Sequence, residues 1–497
     1  MQAWFNGQRF STLQGSYSAQ QNAFGALRLA MACGVVIAHA GPLGFGEGNV
    51  GATTFGRQSD LGTLCLYGFF LVSGFLITDS ALRSTLRQYV RARLLRVLPG
   101  LWACLLVTAF VLAPLAALYE NGNLNGFWGH PEGPFDYFTT NMFASMEQFP
   151  ISGLLADTPY GQVVGGPSAF DGSLWTLRYD LAFYGIVGIL VVTSVLRRSP
   201  RAVLVMTAIC YALILRDFFD APTWSARPPQ HGAIGPFPLI GAFAADWTLM
   251  LGFLFLLGAA ARLYAHRLPI HNKLAMAAGV VLVLSLWRGG FFAVGLPAFA
   301  YLVLFAAVAL PKRLSAIGRK HDYTYGIYIY GFPAQQMIAL LGGTRFGMLG
   351  YIVLSLLGTL LLAVPSWHLV ERPALGFKTG SGRTRRRSIG VTIPGQALPI
   401  LHPPTVRTAK TRFGRLGRIG RRDASARHSR ITDAVPTRAT AARRTNWSYQ
   451  DTVPFLSGAG SASTKTVTVP TEKALPLPQA QSGGPRHARP EPASPPH

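Results

Sequence analysis

Arg28 and His39 lie within the first long apolar run of the sequence, which extends from Phe24. Charged and titratable side chains are costly inside a bilayer and are usually functional where they occur. Eleven residues at about 100° each bring both side chains within about 20° of one azimuth, so a helix would present them on one face, about 16 Å apart along its axis. An arginine that reaches the lipid headgroups and a histidine at the interface are the alternative interpretation.

The types of these side chains predict proton transfer and anion binding. A neutral imidazole accepts a proton near physiological pH, so His39 is the candidate general base. A guanidinium stays charged when partly buried, so Arg28 can bind an anion or polarise a carbonyl. Arg93 and Arg96 are three residues apart and share a helix face, where paired guanidiniums suit phosphate oxygens. From composition alone, positive charge that anchors a helix end is the simpler explanation of that pair.

Asp180 lies in a later apolar segment and needs a partner there, for which Arg178 and His39 are the candidates. Trp175 and Tyr184 flank it, and interface or packing roles explain these aromatic side chains as readily as a binding role.

Three further stretches carry weaker signals. Ser73 and Gly74 are small residues in the second apolar run, where they predict a tight helix seam. The segment Tyr323–Pro333 contains four tyrosines, including Tyr328, and Glu371 begins a Glu-Arg-Pro ending. By themselves these last two predict an aromatic lining and a helix stop.

The elements that must position these residues are membrane helices. Half of the 497 residues are hydrophobic and 13% are charged, whereas about a quarter are charged in soluble domains. The four cysteines show neither metal-ligand spacing nor an obvious disulfide pattern, so they are expected to be buried small side chains and no metal site is expected. We expect no bound cofactor. We predict an all-α polytopic membrane protein with about ten spans, at residues 23–40, 62–79, 97–118, 174–195, 202–216, 239–260, 274–287, 291–310, 323–342 and 347–369.

Positive charge alternates between the predicted loops. Clusters of Arg and Lys follow spans two, four, six and eight, whereas no Lys or Arg occurs between Arg96 and Arg178. The positive-inside rule therefore predicts that both termini are cytoplasmic. The first twenty residues have no apolar core, so no removable signal peptide is expected.

Three regions follow from this pattern: an N-terminal cytoplasmic segment 1–22, a transmembrane domain 23–376 and a basic tail 377–497. The tail holds 21 Lys and Arg against five Asp and Glu, part of a net charge of +25, and its few large apolar residues predict disorder. Because positive charge marks the cytoplasmic side of such proteins, no nucleic-acid partner is expected.

The loop 119–173, with one short helix around 135–149, is either functional or a passive cap.

Six short motifs occur in one order along the chain: an Arg and a His separated by ten residues (Arg28 and His39), a Phe-rich Ser-Gly-Phe-Leu segment (Phe69–Leu76), Arg-x-x-Arg-x-x-Pro (Arg93–Pro99), a Leu-Trp-Thr-Leu segment (Leu174–Tyr184), Tyr-Gly-x-Tyr (Tyr325–Tyr328) and Glu-Arg-Pro (Glu371–Pro373). In this order they resemble the acyltransferase 3 family of integral-membrane O-acyltransferases across residues 22–375. Asp180 stands where that family commonly has Glu, and Gly331 stands where many members have His.

The resemblance implies transfer of an acyl group, expected to be acetyl, from acyl-CoA to a hydroxyl of a surface polysaccharide, O-antigen or lipid-linked glycan. It also implies a multi-pass protein of the bacterial inner membrane. One cavity would hold the imidazole of His39 and the guanidinium of Arg28. The expected roles are catalysis by His39, Arg28 and Asp180, donor binding by Arg93, Arg96 and Ser73, and substrate binding by Trp175, Tyr184, Tyr328 and Glu371.

Two other classes fit parts of the pattern. A secondary transporter could use His39, Arg28 and Asp180 as a proton relay, and ten helices suit it equally well. A membrane-anchored scaffold could bind acidic lipid or nucleic acid through its basic tail. The paired arginines and the ordered set of motifs favour the enzyme.

Overall fold

The computed structural model describes residues 11–229 and 231–377, which form long helices and two small sheets. The N-terminal residues 1–10 and the predicted disordered tail beyond Phe377 lie outside the described residues. The long helices are α1 Phe24–Phe45, α2 Leu61–Arg83, α3 Leu86–Val107, α4 Leu177–Val192, α5 Pro200–Asp220, α6 Ala245–Leu263, α7 Asn272–Arg288, α8 Leu296–Ala309, α9 Thr324–Leu340 and α10 Gly347–Ser366.

Short helices and turns extend or connect the long ones. The π-helical turn Thr108–Leu112 joins α3 to Ala113–Asn121, and the turn Trp367–Glu371 joins α10 to Arg372–Gly376. The remaining ones are Leu13–Ser16, Pro134–Asn141, Pro159–Val164, Leu174–Thr176, Val195–Arg198, Phe291–Gly295, Lys312–Ala316 and Gly343–Phe346.

Both sheets are antiparallel pairs. Strand β1 (Ser11–Thr12) pairs with β4 (Pro269–Ile270), which ties the start of the chain to the segment before α7. Strand β2 (Ala233–Phe237) pairs with β3 (Gly241–Ala244), with an irregular register along β2. The predicted span 239–260 therefore begins too early, because β3 occupies its first residues and α6 starts only after the hairpin.

Eight helical segments in the described part of the chain are long and apolar enough to cross a membrane. The prediction of a polytopic, mostly helical membrane protein is thus confirmed. Helices α7 and α9 coincide with two further predicted spans but have only 17 residues each, which is the lower limit for crossing a bilayer. The segments that qualify are Phe24–Phe45, Leu61–Arg83, Leu86–Asn121, Leu174–Val192, Pro200–Asp220, Ala245–Leu263, Phe291–Ala309 and Gly343–Gly376.

The loop after α3 contains two short helices instead of the one expected, Pro134–Asn141 and Pro159–Val164. Each has proline at its first turn, where the missing backbone N–H costs no hydrogen bond. The loop packs onto α9, since the side chain of Gln336 donates to the carbonyl of Ala169 at 2.7 Å and Tyr160 lies edge-on to Phe332.

Helices α2 and α6 meet at a seam of glycines, which confirms the tight packing expected around Gly74. A Cβ atom on Gly74 would lie 1.9 Å from the carbonyl oxygen of Phe255, and one on Gly258 would lie 2.0 Å from that of Leu71. Both distances are far below van der Waals contact, so the two backbones pack directly on each other, as small residues permit.

We expect Gly74→Ala to lower the free energy of unfolding by about 3 kcal/mol, because the added methyl group must push two helices apart. Thermal unfolding of the purified protein in detergent measures this. Gly185→Ala in α4 is the matched control: its Cβ meets no atom within 4 Å, so the better helix propensity of alanine should stabilise the protein by up to about 1 kcal/mol. Equal thermal unfolding midpoints for the two variants would contradict the direct packing of α2 on α6 at Gly74.

Candidate active site

A cavity of about 360 Å³ opens among α1, α2, α3, α4 and α9. Its lining on α2 runs from Leu66 to Ile77, which corresponds to about 16 Å along the helix. Most of its wall is apolar, as small-molecule sites usually are. The charged residues that line this large cavity are Arg28, Arg93, Arg96, Asp180 and Asp322.

Asp322 joins two of the three arginines. Its Oδ2 lies 3.3 Å from Nη1 of Arg28 and 2.7 Å from Nη2 of Arg96. Sequence reasoning missed this carboxylate. The available signal was its position just before α9, where its Oδ1 accepts the N–H of Thr324 at 3.4 Å, as side chains at helix N-termini often do.

Burial by itself would raise the pKa of Asp322, but the two guanidiniums outweigh it and lower that pKa to about 2. A depressed carboxyl pKa stabilises the fold above the unfolded value near 3.8, and that stability is lost as the pH falls toward 2. We expect this ion pair to supply about 2 kcal/mol at neutral pH. Thermal midpoints measured from pH 5 to pH 2 should fall more steeply for the wild type than for Asp322→Asn. If the thermal midpoints of the two proteins fell equally with pH, the ion pairs of Asp322 would not contribute to stability.

Arg93 differs from the other two arginines. Its Nη2 donates to the hydroxyl of Ser80 at 3.2 Å, and its guanidinium lies over the rings of Tyr89 and Tyr184 at 5.8 and 5.9 Å. Its buried Nε has no hydrogen-bond partner in the described part of the chain, and no carboxylate of these residues forms an ion pair with it. Arg93 is therefore the arginine of the cavity with free capacity for an anion.

Asp180 also lines the large cavity, but the expected partners do not reach it. Arg178 is buried and donates to the carbonyls of Ala242 and Met146 at 2.6 and 3.0 Å, because residues two apart on a helix point in different directions. His39 lines a different cavity. Among the described residues, Oδ1 of Asp180 is buried without a hydrogen-bond partner, and the guanidiniums of Arg28 and Arg93 interact electrostatically with the carboxylate.

His39 lines a second, small cavity of about 30 Å³, which has room for about one water-sized group. Its ring is half-buried and lies edge-on to Phe332 at 5.6 Å between centroids. No residue in the described chain forms a hydrogen bond with the imidazole, so its nitrogens are free to exchange a proton. The predicted residue Trp175 lines the same cavity, together with Asn49 and Asp60.

Asp60 is a second carboxylate that sequence reasoning missed. It caps the N-terminus of α2, accepting the N–H of Thr63 at 3.0 Å and its hydroxyl at 2.7 Å. The guanidinium of Arg227 lies 3.8 Å from it. An aspartate just before an apolar run is a helix-start signal, but only the fold brings this one into the cavity of His39.

Three residues line both cavities and separate them: Leu66, Thr176 and Tyr328. The hydroxyl of Tyr328 bonds to the Thr176 hydroxyl and donates to the carbonyl of Ser173 at 2.9 Å. The expectation that Arg28 and His39 share one cavity is therefore wrong, because this partition fills the space between their two depths on α1.

Of the remaining predicted residues, two line the large cavity and one does not. Ser73 and Tyr184 line the large cavity. Glu371 does not: it is 2% exposed, one oxygen lies 4.0 Å from Arg96, and the other accepts from the hydroxyl of Ser366 at 3.4 Å. Glu371 thus supports Arg96 from behind instead of facing the cavity.

The family model described as an acyltransferase domain, Acyl_transf_3, matches residues 22–368. Nodulation protein 10 of Rhizobium leguminosarum bv. viciae is 28% identical over 380 residues, which are 73% of this chain and 95% of that protein. The O-acetyl transferase of Shigella phage Sf6 is 26% identical over 373 residues, 71% of this chain and 96% of that protein. No solved structure matches the chain significantly.

Proposed function

The chain belongs to the acyltransferase 3 family and is a membrane acyltransferase, and on that premise we propose that it transfers an acetyl group from acetyl-CoA to a hydroxyl of a glycan. The observation that carries this proposal is the meeting of two cavities at one partition. A basic cavity suited to an anionic donor and a small cavity with a free imidazole touch only through Leu66, Thr176 and Tyr328.

The donor suits the large cavity. Arg93 has free guanidinium donors for the diphosphate. Arg28 and Arg96, in contrast, already form ion pairs with Asp322. The carboxylate of Asp180, which lines the same cavity, can accept an amide N–H of the pantetheine arm. The thioester then reaches the partition formed by Leu66, Thr176 and Tyr328.

The acceptor approaches from the small cavity, which is large enough for one hydroxyl group. His39 takes the hydroxyl proton while the oxygen attacks the thioester carbonyl carbon, and the carbon–sulfur bond then breaks. The imidazolium returns the proton to the leaving thiolate, so the products are an O-acetyl ester and free CoA. A surface polysaccharide, O-antigen or lipid-linked glycan is the acceptor class we propose.

For the membrane arrangement, we propose ten spans with both termini cytoplasmic, in a bacterial inner membrane. The alternation of basic loops supports this orientation. It directs Arg93, Arg96 and Asp322 toward the cytoplasm, where acyl-CoA occurs, because each lies at the helix end that follows or precedes a basic loop.

The test offers radiolabelled acetyl-CoA to membranes that contain the protein, with surface glycans isolated and counted. We expect label in the glycan fraction, released by mild base as an ester. Membranes with the His39→Ala protein at equal abundance are the control and should give only background. Absence of label with the wild type, or uptake of label into vesicles without glycan acylation, would refute the proposed reaction.

A further inference from the structure

Three rings form a cluster beside the large cavity: His321, Tyr323 and His368. The rings of His321 and Tyr323 are stacked, with centroids 5.7 Å apart and planes at 7°. His368 lies 5.4 Å from His321, and its Nε2 is 3.2 Å from the hydroxyl of Tyr323. We call these three side chains the ring cluster.

The ring cluster borders the rim of the cavity. The chain neighbours Asp322, Thr324 and Trp367 all line the large cavity, whereas His321 and His368 are exposed and Tyr323 is half-buried. The exposed His321 ring, stacked on the half-buried Tyr323 ring beside the cavity, offers a flat surface to a flat ligand.

Positive charge adjoins these rings. Arg319 and Lys320 directly precede His321, and both are exposed. Neither forms an ion pair with another described residue, unlike Arg28 and Arg96 deeper inside. Aromatic side chains for stacking beside free cations for phosphates are the combination that binds nucleotides.

The size of the cavity also indicates that part of the donor lies outside it. Its volume of about 360 Å³ lies near the lower end of the range for drug-sized ligands, and acyl-CoA is larger than these. A donor whose thioester lies at Tyr328 and whose diphosphate lies at Arg93 must therefore leave its nucleotide end outside the cavity, at the rim.

We propose that the ring cluster is the adenine site of the donor, with Arg319 and Lys320 beside the ribose phosphate. This assignment rests on the proposed function, since it requires a CoA thioester as donor. It gives a role to the exposed rings of His321 and His368, which the acyl transfer step does not use.

The experiment compares two donors, acetyl-CoA and S-acetylpantetheine, which has the same thioester and arm but no nucleotide. Tyr323→Ala and His321→Ala should each raise the KM for acetyl-CoA about tenfold and change the KM for S-acetylpantetheine less than twofold. Tyr323→Phe keeps a ring and should rescue most of the loss. Tyr119→Ala removes an exposed tyrosine that lies outside the cavity lining, and should change neither KM.

Equal changes of KM for both donors, or no change for either, would overturn the adenine site while leaving the proposed function intact. A wild-type protein that transfers no acetyl group from acetyl-CoA would overturn both. Because His321 is exposed, its alanine variant remains informative if Tyr323→Ala fails to fold, as judged by size-exclusion chromatography in detergent.

Discussion

Replacement of His39 by alanine is expected to lower kcat for glycan acetylation about 10³-fold while the protein remains folded. A general base typically contributes 10²- to 10⁴-fold, and no other imidazole lines either cavity among the described residues. Because the ring makes no hydrogen bond within the described chain and lies only edge-on to Phe332, its loss should remove chemistry with little loss of stability. Single-turnover transfer from radiolabelled acetyl-CoA in purified membranes measures the effect.

His266→Ala is the matched control for this prediction. His266 is exposed after α6 and lines neither cavity, so its variant should keep the wild-type rate. Retention of more than a tenth of the wild-type rate by His39→Ala, at normal abundance, would remove His39 from the reaction and leave the donor cavity without a base.

The second large effect separates two neighbouring arginines. Arg93→Ala should raise the KM for acetyl-CoA about 10- to 100-fold, since hydrogen bonds to charged groups contribute about 1.5–3 kcal/mol. The loss of stability should be smaller than for Arg96→Ala, because no described carboxylate forms an ion pair with Arg93. Arg96→Ala should instead destabilise the protein by about 3 kcal/mol, because Asp322 loses its closest partner and buried Glu371 its only ion pair among the described residues.

Arg91→Ala provides the control on the same helix. Arg91 is exposed and does not line the cavity, so its loss should alter neither KM nor the thermal midpoint. Donor KM values and thermal midpoints measured on all three variants distinguish the two roles. If Arg93→Ala and Arg96→Ala lose stability equally and bind donor normally, both arginines are structural and the large cavity is not the phosphate site.

Much of the architecture was accessible from the residues alone. Long apolar runs can satisfy their backbone hydrogen bonds in a membrane only as helices, so composition and run length were enough to predict a polytopic helical protein. The spacing of Arg28 and His39 on one face of α1 followed from helix geometry. Likewise, Ser73 and Gly74 predicted a close seam, because small side chains permit contact between backbones.

The composition of the two cavities was decided by tertiary structure alone. Asp322 and Asp60 are ordinary helix-start residues in the sequence, and they become part of the sites only because α9 and α2 begin beside α1. Glu371 was expected at the substrate but supports Arg96 from behind, since the side-chain direction depends on how the end of α10 packs.

The sequence by itself determined the class of fold, the family and the residue types available for acyl transfer, since each depends on local pattern or on ordered motifs. Only the tertiary structure decided that Arg28 and His39 line separate cavities. Spacing along a helix specifies azimuth and depth, whereas a partition built by Leu66, Thr176 and Tyr328 depends on three other helical segments meeting at one point.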